Sequence, residues 1–192
     1  ALLMPRVDAC LHEATLSIAD IDLFAITTGP GSFTGLRIGI STAKGFAQAM
    51  DKPIAAFGTL QALAANFFGL GMFVCPMIDA RNDRVYTALY KNDVQVAPPS
   101  VVELGALKDF VGTDSVLFCG DGIDAHETKL VAQCKNAIFA PLPLRYQRAE
   151  ALIPLAQKAC VEGNLFTAFD VELEYLVESQ AERMLKQRKQ NG

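Results

Sequence analysis

Apolar positions near the amino terminus recur at helical spacing. Leu3, Val7, Cys10, Leu11 and Ala14 share one face of a helix predicted over residues 2–16, with Pro5 in its first turn. Ser17 and Asp20 mark a turn, and Ile21 to Thr28 reads as the first strand. Leu36, Ile40, Ala43, Ala47 and Met50 then line one face of a helix over 35–50. Ile38 and Phe46 lie off that stripe, so this helix is apolar on more than one side. Packing on its own sheet accounts for one side; the other invites a second partner. Gly39, Ala43 and Ala47 are small at four-residue spacing, which lets another helix come close. Pro53 to Phe57 predicts a short strand. Thr59 is the expected cap of a helix from Leu60 to Phe68, closed by Gly69 and Gly71.

From Met72 onward the apolar period shortens. Met72 to Ile78 predicts a buried strand, and Asp79 to Asp83 a polar turn. Val85, Thr87 and Leu89 alternate with Tyr86, Ala88 and Tyr90 as the second arm of an antiparallel hairpin. Val94 to Val96 adds a short strand before Pro98-Pro99. A helix over Leu104 to Val111, a strand over Val116 to Cys119, a helix over Ala125 to Cys134 and a strand at Ile138 to Ala140 follow. Residues 150–162 predict a helix, and Phe169 to Leu176 an extended segment. The tail from Glu178 is polar, with Arg183, Lys186, Arg188 and Lys189. It reads as a solvated end, with a nucleic-acid contact as the minority alternative. Strands alternating with helices, plus one hairpin, predict an α/β protein with a mixed sheet. The expected domains are 1–57 and 58–192.

Composition narrows the possibilities. The chain has 192 residues, 51% of them hydrophobic, enough for a sizeable core. A net charge of −4 argues against a surface that coats nucleic acid broadly. The five cysteines are scattered without a C-x-x-C pair and read as reduced core thiols of a cytoplasmic protein. His12 and His126 are the only histidines, too far apart to suggest a metal site. No run has the apolar length of a membrane span.

The densest chemistry lies between the first strand and the second helix, in Thr27-Thr28-Gly29-Pro30-Gly31-Ser32-Phe33-Thr34-Gly35-Leu36-Arg37. Glycine allows close approach of a ligand or another backbone. Ser32 or Thr34 can cap the helix, whose first turn carries free N–H groups able to hold an anion. The spacing is neither that of a phosphate loop with Gly-Lys-Ser/Thr nor that of the dinucleotide fingerprint. By itself it is compatible with a plain strand-to-helix turn.

The block from Thr28 to Ala47 closely resembles the signature of the bacterial TsaB (YeaZ) family, whose superfamily is also called the M22 glycoproteases. Asp79-Ala80-Arg81 with Val85-Tyr86 resembles the family's D-A-R…V-Y hairpin, and Gly120-Asp121-Gly122 its G-D-G turn. Tyr175-Leu176 stands where the family has P-x-Y-L-R, with Leu173 in place of the proline and Val177 in place of the arginine. The resemblance implies the two-domain actin/Hsp70/sugar-kinase (ASKHA) fold. It implies a non-catalytic subunit that binds and activates a TsaD-type catalytic subunit for threonylcarbamoyl transfer to adenosine 37 of tRNA. A homodimer when alone, a TsaE-type ATPase and tRNA held indirectly complete the implied partners.

The family's contact helices correspond here to 2–16 and 35–50, giving Leu3, Val7, Leu11, Leu36, Ile40, Ala43 and Ala47 as expected interface residues. Family members begin with strands that this sequence lacks, so the resemblance implies further residues upstream of Ala1. TsaD-type enzymes hold a metal through an H-x-x-x-H helix, which is not found in this sequence. No catalytic residue and no metal site are therefore expected. The alternative is a nucleotide-binding enzyme of the same superfamily, holding ATP or ADP with Mg²⁺. Gly29, Gly31, Ser32, Thr34, Gly35, Asp79, Gly120, Asp121 and Gly122 would then face phosphates, with Asp79 toward the cation. A peptidase is a third and lesser reading, because neither histidine has a nucleophile motif around it.

Overall fold

Two sheets organise the chain in the computed structural model, which describes residues 2–176. Helix α1 (Leu3–Glu13) leads to β1 (Phe24–Thr27), α2 (Phe33–Met50), β2 (Ile54–Phe57) and α3 (Thr59–Ala65). β1 and β2 pair in parallel, Phe24 opposite Ile54 and Thr27 opposite Phe57, with α2 as the crossover that parallel pairing requires. Then come β3 (Phe73–Asp79), β4 (Arg84–Lys91), β5 (Val94–Glu103), α4 (Leu107–Val111), β6 (Val116–Cys119), α5 (Gly122–Gln133), β7 (Ala137–Phe139), α6 (Leu142–Arg145) and α7 (Leu152–Glu162). The second sheet has the order β5-β4-β3-β6-β7. β4 is antiparallel to both of its neighbours, β3 and β5, and β6 and β7 run parallel to β3. The architecture is the mixed α/β arrangement that the pattern predicts.

Alternation along the strands places apolar residues on both faces of the five-stranded sheet. Met77, Val85, Phe118, Ile123, Leu130, Leu104 and Leu107 form the cluster toward α4 and α5. Val74, Ala88, Tyr90 and Leu117 pack with Leu60, Leu63 and Phe67 from α3 and the turn after it. On the smaller sheet, Ile40 and Ala47 of α2 meet Ile54 and Val171. Ala55 meets Ala156 and Ala159 of α7. Phe166 bridges to Ile54, so the chain beyond α7 returns to the first sheet. No residue of α1 is buried.

Several elements differ from their sequence expectation, each for a local reason. The first strand begins at Phe24 rather than Ile21. Ile18–Asp20 instead forms a single turn of 3-10 helix, closed by the Ser17 amide donating to Asp20 Oδ2 at 2.8 Å. β5 runs for ten residues through Pro98-Pro99 instead of stopping before them. It is an edge strand, where missing donors are tolerated, and its pairing with β4 shifts register between Thr87 and Tyr90. α3 is capped by Gly58 and ends at Ala65; Thr59 lies within it, and its hydroxyl is buried without a partner. α5 starts at Gly122, three residues early, because the glycine turn leads straight into it. Residues 169–176 form no ladder, although Val171 and Leu173 point inward. Cys10 and Cys160 are exposed thiols, unlike buried Cys75, Cys119 and Cys134. The basic tail from Glu178 lies outside the described residues. No helix among the described residues is long and apolar enough to cross a membrane.

Candidate functional site

The glycine turn links the end of β1 to α2. Ser32, not Thr34, caps the helix, its Oγ accepting the Gly35 amide at 3.3 Å. Thr34 is exposed. The turn is tied to the end of β2: the Thr59 amide donates to the Gly29 carbonyl at 2.6 Å, and the Thr28 hydroxyl donates to the Phe57 carbonyl at 3.2 Å. The Glu174 amide donates to the Thr28 carbonyl at 3.0 Å. Gly29 has φ +133, and a Cβ there would collide with the Glu174 carbonyl oxygen. Beside them the Tyr175 ring lies 5.3 Å from that of Phe33. Arg37 donates from Nε to the Tyr175 hydroxyl at 3.2 Å and sets its guanidinium 3.9 Å from the Phe33 ring centre.

The Glu174 carbonyl, an acceptor, occupies the Cβ side of Gly29. Gly31 and Gly35 are less constrained. A Cβ on Gly31 would sit in ordinary contact with Leu36 at 3.8 Å, and one on Gly35 at 3.4 Å from Ser32.

Asp79 and Gly120-Asp121-Gly122 come together because β3 and β6 are parallel neighbours, with Pro76 opposite Cys119. Both motifs follow the carboxyl ends of these strands, where open α/β sheets take ligands. The Asp79 amide donates to Asp121 Oδ1 at 3.4 Å. Burial pushes the Asp121 carboxyl above its ordinary value, against the hydrogen bond from the Asp79 amide. Asp79 Oδ1 accepts the Arg81 amide at 2.9 Å and faces His126 Nε2 at 3.3 Å. Lys129, one helical turn beyond His126, meets Asp83 at 2.6 Å. Helix α5 thus grips both ends of a turn in which Arg81, Asn82 and Asp83 are all left-handed. The sequence shows no motif around His126. The signal that could have found it is the spacing His126–Lys129 opposite Asp79–Asp83. The glycines of this motif have a packing role: a Cβ on Gly122 would lie 2.9 Å from Met77 Cβ, and one on Gly120 would strike the Met77 carbonyl. No hydrogen bond among the described residues joins the Gly29–Gly35 turn to Asp79 or to Gly120–Gly122, and no group of three His, Cys, Asp or Glu is disposed to hold a metal ion.

The Asp79 face continues through Asp124, in the first turn of α5. Its carboxylate accepts the Tyr146 hydroxyl and meets the Arg145 guanidinium at 2.6 Å; the Arg145 side chain is only 12% exposed. The Tyr146 hydrogen bond, then that of Arg145, holds the carboxyl below its usual 3.8. Asp124→Asn is expected to cost about 1 kcal/mol at neutral pH. Because the folded value is depressed, the charged form's contribution is present above 3.8 and disappears as pH falls through the folded value. Urea denaturation of both proteins in neutral and acid buffer checks this, with convergence expected in acid.

The expected partner residues divide. Leu3 is 40% exposed, and Val7, Leu11 and Leu36 are half-buried. Ile40, Ala43 and Ala47 are buried inside the chain, at 8%, 8% and 2% exposure. The stripe assigned to a partner is therefore the side of α2 that packs on β1 and β2. The exposed apolar positions of α2 are Phe33, at its start, and Ile38, which the partner assignment passed over, and Met4 of α1 is likewise half exposed.

The family model of TsaD, tRNA N6-adenosine threonylcarbamoyltransferase, matches residues 1–168. The tRNA threonylcarbamoyladenosine biosynthesis protein TsaB of Bacillus subtilis (strain 168) is 36% identical over 130 residues, covering 65% of this chain and 57% of that protein. TsaB of Escherichia coli (strain K12) is 38% identical over 93 residues, covering 47% of this chain and 40% of that protein. The chain thus spans about half the length of the curated relatives it matches. The solved structure of YeaZ from Pseudomonas aeruginosa superposes with a TM-score of 0.74 at 27% identity, covering 90% of this chain and 83% of that one. The fold and the matched sequence define a class, the TsaD family, and the chain belongs to it. Within that class its named relatives and structural neighbours place it with TsaB (YeaZ), in the M22 superfamily.

Proposed function

We propose that the chain is a non-catalytic subunit that binds a TsaD-type catalytic subunit and activates it for threonylcarbamoyl transfer to tRNA adenosine. The observation that carries this reading is α1. It is a helix with no buried residue, showing Leu3 and Met4 to solvent near the start of the chain. Exposed apolar surface of this kind calls for a protein partner. The exposed apolar positions of α2, Phe33 and Ile38, extend the proposed contact, while Ile40, Ala43 and Ala47 drop out of it. The names of the TsaB relatives supply the process, threonylcarbamoyladenosine biosynthesis. A second copy of the chain would use the same surface when the partner is absent; a TsaE-type ATPase and tRNA would join through the catalytic subunit. An ASKHA-type division into residues 1–57 and 58–192 is part of the same proposal.

The test is threonylcarbamoyladenosine formation on tRNA, reconstituted from purified components with and without this protein. Product formation is expected to fall at least tenfold without it. Equal rates with and without the protein would sink the proposal.

A further inference from the structure

The glycine turn is the strongest motif in the sequence, and the Glu174 carbonyl stands against its first glycine. We infer that residues 171–175 form a latch that closes this turn, so that the occupant of the turn is the chain itself. Alternate side chains of the segment point inward. Val171 is 1% exposed among Ile40, Ala47 and Ile54, Leu173 packs beside them, and Glu172 and Glu174 face solvent. The backbone of Glu174 then makes two contacts with the turn: its amide donates to Thr28, and its carbonyl fills the space beside Gly29. Tyr175 finishes the closure against Phe33 and Arg37.

Among the described residues the two ends of the latch are held unequally. Val171 is fixed in the core. Tyr175 is 44% exposed and Phe33 39%, so the outer contacts are made in water and are individually weak. The segment therefore opens from its Tyr175 end, pivoting on Val171, while the core stays closed. Opening bares Phe33 and Arg37 at the amino end of α2. The latch explains why Gly29 must be glycine while Gly31 could carry a Cβ in ordinary contact with Leu36. It also gives Tyr175 a role that does not need the proline and arginine missing around it. The inference does not depend on the identity of the protein's partner.

The amide of Glu174 reports the latch directly, because among the described residues its partner is the Thr28 carbonyl at the turn. Hydrogen exchange on the whole chain would compare that amide with the amide of Phe118, in the buried strand β6. Tyr175→Ala is expected to speed exchange at Glu174 about tenfold while leaving Phe118 unchanged. Tyr175→Phe, which keeps the ring and loses only the Arg37 bond, should fall between. Gly29→Ala should also free the Glu174 amide, by driving its carbonyl away. Unchanged exchange at Glu174 in Tyr175→Ala would overturn the latch. So would equal acceleration at Glu174 and Phe118, which would mean that Tyr175 supports the whole fold.

Discussion

Gly120→Ala is expected to destabilise the protein by at least about 3 kcal/mol, lowering the thermal midpoint by roughly 6–12 °C. Gly120 has φ +100, a conformation that side chains rarely adopt, and its missing Cβ leaves the space taken by the Met77 carbonyl. Relief would require β3 and the start of α5 to move apart. Those elements meet over Met77 and Ile123, both fully buried in the largest apolar cluster. Gly105→Ala is the matched control, since Gly105 has open space around it and no left-handed φ. It should change stability by no more than about 0.5 kcal/mol. Urea denaturation of the three proteins decides the matter; a loss below about 1 kcal/mol at Gly120 would show that the strand and helix part easily.

Two isoleucines two positions apart on α2 should behave in opposite ways. Ile40→Asp puts a carboxylate between α2 and the first sheet, where Ile40 is 8% exposed, and should cost about 4 kcal/mol or more. Ile38→Asp puts the same group on a position 53% exposed and should leave the fold within about 0.5 kcal/mol of the parent. The order reverses for binding. If the exposed side of α2 meets the TsaD-type subunit, Ile38→Asp weakens that complex more than about tenfold, because a charge would enter an apolar contact. Calorimetric titration against the purified subunit measures it. Full affinity in a folded Ile38→Asp protein would remove this side of α2 from the interface.

The sequence shows the parts of this protein whose causes are local. The β3–β4 hairpin is visible because the alternation through Val85, Thr87 and Leu89 needs only its own neighbours, and β6 because Val116 to Cys119 is apolar throughout. α2 is visible as a helix, but its two apolar sides look alike from the sequence. Only the packed sheet distinguishes Ile40, which faces Ile54, from Ile38, which faces water. The glycine turn shows the same limit. Its residues say that something comes close, and the spacing says where. They do not say that the close neighbour is Glu174, brought back from the far end of the chain by Val171 in the core. His126 is a still plainer case, since a single histidine on a polar helix acquires meaning only once β3 has set Asp79 3.3 Å away.

The long edge strand has a consequence for the protein's life in a crowded solution. β5 shows Val94 and Val96 to water at 62% and 52% exposure, on the open border of a five-stranded sheet. Such a border is a template on which another molecule can lay down a strand, and from there a fibril can grow. Pro98 and Pro99 withhold two consecutive donors from that strand, and the register slips opposite them. This apolar border of the sheet is thus also a poor template, and two residues that look like an interruption of the strand act as its guard against self-association.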